Sequence, residues 1–332
     1  MTDKDKKARD SILKKSDDPK DLPEIKGYDF DSGLDFQRFL DSYNNVGFQA
    51  SNLGKAIDII KRMREEKEIT IFLGFSSNMV TSGLRDIITY LVKHKMVHVL
   101  VTTVGGIEED VIKTMKPFLL GRFDADGGNL RNMGINRTGN IFIPNDRYIA
   151  YEEFMNKFMA KMLERQKKED VFCTSDFIKE MGKELTDESS YIYWASKNDI
   201  PVFCPAITDG STGDMMYFFK KDNPDFKLDV TADIVRINDI ALNAEKSGII
   251  SLGSGIMRHH MNNANLFREG ADYAVYINSN LEFDGSDSGA KPEEAKSWGK
   301  ITYDKDADKN IVKIYGDATI IFPLLVAGAF RK

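Results

Sequence analysis

Cysteine, histidine and tryptophan are scarce in this chain. Two cysteines, Cys173 and Cys204, are too few for a disulfide framework in a chain of 332 residues. Of the four histidines, His94 and His98 have the i, i+4 spacing of helical zinc ligands. His98 opens a strand-like run, however, so the two rings are not expected to share one helical face. The composition therefore predicts neither a disulfide scaffold nor a zinc site.

Long apolar runs are also missing, and no stretch approaches the ~20 apolar residues that a membrane span needs. Residues 1–7 are charged and contain no apolar signal-peptide core. We therefore expect a soluble, cytoplasmic protein without a membrane partner. The net charge of -6 offers no basic surface for nucleic acid, although it suits a basic partner protein or a cationic small molecule.

The domain organisation predicted from the sequence is simple. Residues 1–27 are charge-rich and low in apolar side chains, which is typical of a mobile arm with at most a short helix over 8–15. Residues 121–144 form a glycine-rich excursion and residues 151–183 added helices, but no second core is evident. The sequence thus predicts a charged arm, 1–27, and one large domain, 28–332.

The middle of the chain alternates between two periodicities. Residues 35–67 have a helical pattern in two pieces, the second with Ser51 as its predicted cap. Short apolar runs then alternate with amphipathic helices. The strand-like runs are residues 70–75, 98–103, 200–207, 249–252 and 273–277. This pattern predicts an α/β fold with a Rossmann-like parallel sheet covered by helices on both faces.

Ligands of open parallel sheets bind beyond the carboxyl ends of the strands. Five of the predicted strand ends are followed by Gly, Ser, Thr, Asn or Asp clusters, where backbone amides can approach a ligand. The G-x-G-x-x-G fingerprint is absent. Residues 102–109 nevertheless supply tight glycines after a strand, a helix N-terminus for an anion and carboxylates for hydroxyl groups. Such glycines before a helix are also common in simple turns.

Carboxylates accumulate at or near the same strand ends, where their repulsion is costly without a cation. They are Asp209, Asp214, Asp284, Asp287, Glu294 and Asp317. A hard metal ion, a polyamine-like organic cation and a solvated acidic rim all fit this pattern. The acidic loops at 209–211 and 284–287 do not match the calcium-loop pattern, and the solvated rim is the commonest of the three.

One lysine stands in an unusual setting. Lys300 follows Trp298 by two residues, and Glu293 and Glu294 lie just upstream. Most lysines are solvated surface groups. Burial against an indole lowers a lysine pKa, and the neutral amine attacks carbonyl or imine carbon. His259 or His260, which follow a strand-end loop, can move the proton.

The sequence resembles the deoxyhypusine synthase family from about Gly27 to Phe330. The motifs that carry the resemblance are long. They are Thr208-Asp209-Gly210-Ser211-Thr212-Gly213-Asp214, His259-His260 with Asn263-Ala264-Asn265, Gly270 to Asn278, Glu282 to Gly289, and Ser297-Trp298-Gly299-Lys300.

The resemblance implies an NAD-dependent aminobutyl transfer from spermidine to one lysine of the translation initiation factor 5A precursor, the first step of hypusine formation. NAD takes a hydride from spermidine, and Lys300 holds the aminobutyl group as an enzyme imine. The factor's lysine then receives this group. These implied ligands account for the acidic residues, the unusual lysine and the glycine-rich loops.

The resemblance also implies the roles of individual residues. Lys300 and His259 are the implied catalytic pair. The spermidine site is expected to contain Asp214, Asp287, Glu294, Trp298 and Asn263. The NAD site is expected to contain Ser77, Asn78, Thr81, Thr103, Gly105, Glu108, Glu109, Asp209, Gly253, Gly255, Ser279, Asp284 and Asp317.

Family members are homotetramers built as dimers of dimers, with active sites at the dimer interface. Two other functions stay open at this stage: a non-catalytic regulatory paralogue in a heterotetramer, and transfer of the aminobutyl group to putrescine. The chain departs from the family pattern at Val104, Ser254 and Ser279. The retained Lys300 and His259 favour an active enzyme.

Overall fold

The computed structural model describes residues 1–17, 19–20, 22–169, 171–303 and 307–330. Nine strands occur in this part of the chain. They are β1 (Ile69–Phe75), β2 (Val99–Thr102), β3 (Leu119–Leu120), β4 (Ile135–Thr138), β5 (Ile141–Pro144), β6 (Val202–Phe203), β7 (Lys246–Leu252), β8 (Tyr273–Asn278) and β9 (Ile311–Tyr315). Six of them form one parallel sheet in the order β6-β2-β1-β7-β8-β9.

Helices make up most of the remaining structure. They are α1 (Asp3–Ile12), α2 (Phe36–Val46), α3 (Phe48–Glu65), α4 (Ser77–Thr81), α5 (Leu84–Lys93), α6 (Val104–Met115), α7 (Gly127–Asn132), α8 (Asp146–Gln166), α9 (Thr174–Glu184), α10 (Tyr191–Asn198), α11 (Ser211–Asp222), α12 (Ala232–Leu242), α13 (Ile256–Leu266), α14 (Pro292–Ser297) and α15 (Ala318–Ala329). No helix in the described ranges is long and apolar enough to cross a bilayer.

The sheet separates two apolar cores, because neighbouring strand residues point to opposite faces. Ile71 and Leu73 of β1 pack in one core, together with side chains of α3, α5 and α15. Phe72, between them, packs in the other core against Met257 and Met261 of α13. Both faces are therefore covered, and the predicted α/β fold with a parallel sheet is confirmed.

Several element boundaries differ from those predicted. The second helical piece, α3, begins at Phe48 rather than after Ser51. Gly47 has a φ of 97°, and its N–H donates to the Ser51 hydroxyl at 2.9 Å. Ser51 therefore stabilises the turn before α3 from inside the helix. The helix α6 likewise begins at Val104, so Gly105 and Gly106 lie in its first turn.

The glycine-rich excursion contains regular structure that the sequence pattern did not predict. The strands β3, β5 and β4 pair antiparallel in that order. At the other end of the chain, α1 spans Asp3–Ile12, earlier than the predicted helix at 8–15, and none of its side chains is buried. The division into an arm, 1–27, and a domain, 28–332, stays a prediction, and residues 18, 21, 170, 304–306, 331 and 332 lie outside the described part.

The strand order locates the edge at which ligands of such sheets bind. From β1 the chain proceeds to β2 and β6 on one side, whereas β7, β8 and β9 follow one another on the other side. The topological switch point therefore lies between β1 and β7, whose last residues, Phe75 and Leu252, are paired.

One buried ion pair ties α5, α6 and α10 together. Arg85 Nε donates to Asp110 Oδ1 at 2.6 Å, and both side chains are almost fully buried. Asp110 Oδ2 also accepts hydrogen bonds from the Ser190 hydroxyl and the Ile192 N–H. Burial raises the pKa of Asp110, whereas Arg85 and these hydrogen bonds oppose the rise.

Asp110→Asn should destabilise the fold by about 3 kcal/mol or more, because it leaves the Arg85 guanidinium buried without its counterion. Urea unfolding monitored by circular dichroism measures the change. The matched control is Glu164→Gln, which breaks the solvent-exposed pair with Lys167 and should leave the urea midpoint almost unchanged. Equal losses for the two variants would contradict this role of Asp110.

Candidate active site

Backbone hydrogen bonds to two neighbouring segments hold Lys300 in place. It follows α14 through Gly299, whose φ of 72° favours glycine. The Lys300 N–H donates to the Ala295 carbonyl at 3.0 Å, and the Lys300 carbonyl accepts the Ala271 N–H at 3.1 Å. These bonds fix the base of the side chain beside the segment that leads into β8.

The amine of Lys300 contacts a histidine on α13. Lys300 Nζ lies 3.3 Å from His259 Nε2. The other ring nitrogen, Nδ1, lies 3.1 Å from Asn263 Nδ2, one helical turn later. Asn263 thus orients the ring so that Nε2 faces the lysine, an arrangement suited to proton transfer. His260 instead lines a different cavity, so His259 is the histidine that contacts Lys300.

A cavity of about 250 Å³, which we call the lysine cavity, surrounds this pair. It is lined by Arg258, His259, Asn262, Tyr276, Gly285, Asp287, Ala290, Lys291, Glu294, Ala295, Trp298 and Lys300. Five of these residues were expected at the substrate site from the sequence. Arg258 and Lys291 were not expected, although Arg258 directly precedes the histidine pair and could have been identified from that position.

The charge of the lysine cavity differs from the acidic site that the sequence predicted. Two carboxylates, Asp287 and Glu294, face three cationic residues, Arg258, Lys291 and Lys300. The Lys300 amine lies 5.5 Å from the centre of the Trp298 ring, which is 66% exposed. One chain alone therefore neither encloses the amine nor supplies an excess of acidic groups around it.

A second cavity, of about 360 Å³, lies at the switch point of the sheet, and we call it the strand-end cavity. It is lined by Ser76, Asn78, Met79, Gly253, Ser254, Ile277, Asn278, Ser279, Asn280, Gly316, Asp317 and Ala318. Asn78, Gly253, Ser279 and Asp317 were expected at the NAD site. The two cavities are neighbours, since Tyr276 and Asn278 lie two residues apart on the same face of β8.

Two glycines keep the backbone close around the strand-end cavity. Gly253 has a φ of 83°, and a Cβ there would lie 2.6 Å from the Ser76 hydroxyl. A Cβ on Gly105 would lie 2.7 Å from Ser77 Cβ. The departure at Ser254 is accommodated, because its hydroxyl accepts a hydrogen bond from Asn280 at 3.1 Å. Both glycines therefore serve close approach between strand-end segments.

The strand-end cavity has the polar groups that a dinucleotide requires. The Asn278 Nδ2 atom is buried, and no described residue accepts a hydrogen bond from it. The helices α6 and α13 begin at this edge without side-chain caps. Uncapped helix N-termini offer N–H groups and a positive dipole to phosphates. These features fit a diphosphate-containing ligand.

The predicted cofactor residues on α4 and α6 contact one another. The Thr103 hydroxyl accepts the Ser77 N–H at 3.0 Å. The Thr81 hydroxyl donates to Glu109 Oε2. Burial raises the pKa of Glu109 to about 7, and Lys113, whose own pKa burial lowers to about 8, opposes the rise. This carboxyl group therefore changes charge near neutral pH.

Glu108, on α6, caps the N-terminus of α11, which lies about a hundred residues further along the chain. Its carboxylate accepts the Ser211 N–H at 3.2 Å and the Thr212 N–H at 2.7 Å, together with the Thr212 hydroxyl at 2.9 Å. A hydrogen bond from Tyr151 to Thr212, 2.8 Å long, completes the cluster. The sequence predicted only a ligand role for Glu108, because its partners lie 104 residues further along the chain.

Eleven of the predicted site residues line neither cavity, and three of them are exposed carboxylates. Asp209 and Asp214 are exposed on the loop before α11 and in its first turn. Asp284 is also exposed, and its carboxylate accepts hydrogen bonds from the N–H and hydroxyl of Ser286. Gly255, with a φ of 88°, begins the turn into α13. In the described ranges, no group of three or more acidic, histidine or cysteine side chains is arranged to hold a metal ion.

Comparisons of the sequence with a family model and with curated proteins point to one family. The sequence model of deoxyhypusine synthase matches residues 38–329. A probable deoxyhypusine synthase of Methanocaldococcus jannaschii is 51% identical, over 95% of this chain and 98% of that protein. The deoxyhypusine synthase of Senecio vernalis is 50% identical, over 92% of this chain and 88% of its own length.

A solved structure supports the same relationship. A crystal structure from Entamoeba histolytica, provisionally described as a deoxyhypusine synthase, has a TM-score of 0.66 and 33% identity to this chain. The similarity covers 92% of this chain and 96% of that one. By sequence along nearly its whole length and by fold, this chain belongs to the deoxyhypusine synthase family of transferases.

Proposed function

We propose that the chain transfers the aminobutyl group of spermidine, through an imine on Lys300, to one lysine of the translation initiation factor 5A precursor. The observation that carries the proposal is the 3.3 Å contact between Lys300 Nζ and His259 Nε2. This pair lies in a cavity that also contains Asp287 and Glu294. A nucleophilic amine, an adjacent base and acceptors for a cationic substrate are the groups that such a transfer requires.

The strand-end cavity is the proposed NAD site. Gly253, Ser279 and Asp317 line this cavity and would hold the cofactor there. Glu109 lies behind α4 and does not line the cavity; the family resemblance is the basis for proposing that it accepts hydrogen bonds from ribose hydroxyl groups. When bound, NAD would accept a hydride from spermidine and later return it to the product. The Asn278 Nδ2 group, which has no hydrogen-bond acceptor among the described residues, and the uncapped N-termini of α6 and α13 support this location.

The chemistry at Lys300 then follows from its contacts. Lys300 reacts as the neutral amine, which attacks the imine carbon of oxidised spermidine, and His259, 3.3 Å away, exchanges protons with the reacting nitrogen atoms. The new C–N bond replaces the bond to 1,3-diaminopropane, which leaves after receiving a proton, so that the aminobutyl group remains on Lys300 as an imine. Attack by the acceptor lysine releases Lys300 and transfers the group.

We further propose that the active site lies at a dimer interface within a tetramer of two dimers. The lysine cavity holds more cationic than acidic side chains, and the Trp298 ring is largely exposed. Asp209 and Asp214 are exposed acids that line neither cavity. A second copy that brings these two carboxylates to the lysine cavity would reverse its charge and cover the indole.

Treatment with spermidine, NAD and borohydride should attach a stable aminobutyl group to Lys300, because borohydride reduces the enzyme imine to an amine. Peptide mass spectrometry identifies the modified residue. Lys300→Ala should lose the label, whereas Lys296→Ala, on the neighbouring helix α14, should keep it. Undiminished labelling of the Lys300→Ala variant would contradict the assignment. Turnover by the purified chain alone would also exclude a purely regulatory paralogue.

Mixing two inactive variants tests whether the site is shared between chains. In a dimer of Lys300→Ala with Asp214→Ala, one site carries both defects and the other carries neither. Random subunit exchange should therefore restore about a quarter of wild-type activity. Activity assays before and after exchange measure the recovery. A mixture that stays inactive despite confirmed subunit exchange would indicate that both residues act within one chain.

The affinity for NAD should increase with pH, because an ionised Glu109 is the better acceptor for ribose hydroxyl groups. The Glu109 carboxyl group has a pKa of about 7 in the free protein. Below that pH, NAD binding must displace a proton from it. The dissociation constant should fall about tenfold between pH 6 and pH 8 and then level off. Calorimetric titration measures it. Glu109→Gln should flatten the profile, and an unchanged slope in this variant would contradict the role.

A further inference from the structure

Arg258 is a buried cation in the wall of the lysine cavity. Its side chain is fully buried, although it lies next to the exposed His259 on α13. Nε and Nη2 both donate to Asp287 Oδ2, at 3.2 and 3.1 Å. Nη1 donates to the Ala290 carbonyl at 3.4 Å, and the guanidinium lies 4.8 Å from the centre of the Tyr276 ring. A buried guanidinium of this kind needs its carboxylate partner.

The two bonds to Asp287 fall on the same oxygen. Oδ2 receives both of them, so Oδ1 is left without a bond from the guanidinium. The Asp287 side chain is 31% exposed and lines the lysine cavity, so it remains accessible to a ligand. A carboxylate held by one oxygen presents the other in a fixed direction, and such preorganisation lowers the entropic cost of binding a cation.

We propose that Arg258 is a positioning residue for the cationic substrate and acts by fixing the rotamer of Asp287. The inference rests on the proposed function, since it assumes that an ammonium group of the substrate binds Asp287. Arg258 also offsets the charge of Asp287 from the buried side. Arg258 occupies one oxygen of Asp287, and the ammonium group of the substrate binds the other oxygen.

Arg258 joins three segments that form the cavity wall: α13, β8 through Tyr276, and the loop that contains Asp287. A purely structural role would therefore also reduce activity when the residue is changed. The two roles predict different effects when Arg258 is substituted. Loss of a positioning residue weakens spermidine binding through Asp287, whereas loss of a structural residue lowers stability and disturbs both cavities together.

Arg258→Met keeps most of the side-chain volume but removes the guanidinium. It should raise the KM for spermidine by about tenfold, because Asp287 is no longer held in the orientation that binds the ammonium group. The dissociation constant for NAD should stay within about twofold, and kcat should change less than KM. Arg258→Lys keeps the charge without the planar fork and should recover part of the loss.

A double-mutant cycle with Asp287→Asn tests whether Arg258 acts through Asp287. If it does, Arg258→Met should add little to the KM of the Asp287→Asn variant. Calorimetric spermidine binding in the presence of NAD gives the same cycle without turnover. If Arg258→Met does not fold, Arg258→Lys replaces it in the cycle.

The matched control is Arg268→Met. Arg268 forms a comparable, largely buried pair with Asp272 but does not line the lysine cavity. This change should lower the melting temperature and leave the KM for spermidine unaltered. Additive effects of Arg258→Met and Asp287→Asn, or a loss of NAD affinity equal to the loss of spermidine affinity, would overturn the inference. Failure of the wild-type protein to bind spermidine would instead overturn the proposed function, and this inference with it.

Discussion

Three consecutive carboxyl groups on α6 connect this helix to α4, α5, α10 and α11. Glu108 caps α11, Glu109 holds Thr81 of α4, and Asp110 joins α5 to α10 through Arg85 and Ser190. All three are buried, and burial raises the pKa of each, so each depends on its partners to replace lost water. The position of α6 therefore determines where α4 and the loop before α11 lie.

Much of the fold and part of the site could be predicted because their signals are local. Continuous apolar runs such as residues 70–75 indicate buried parallel strands, and small polar residues directly after them mark the ligand edge. Lys300, Trp298 and Glu294 lie within one short segment, so their proximity needed no tertiary information. The histidine pair followed a strand-end loop, and His259 indeed contacts Lys300.

The remaining features depend on contacts between distant parts of the chain. Arg258 pairs with Asp287 across 29 residues, and Glu108 caps a helix 104 residues later. No periodicity in the sequence encodes such partners, and a buried arginine looks like a surface residue in a composition analysis. The excess of cations in the lysine cavity likewise emerged only from the structure, because Arg258 and Lys291 come from separate elements.

The central claim is that Lys300 carries an aminobutyl group to a lysine of a protein acceptor. The most direct measurement incubates the purified chain with spermidine, NAD and either the factor 5A precursor or putrescine, and analyses the products by mass spectrometry. We expect 1,3-diaminopropane together with an aminobutyl group on one lysine of the factor. Homospermidine from putrescine, with no modified factor, would contradict this account.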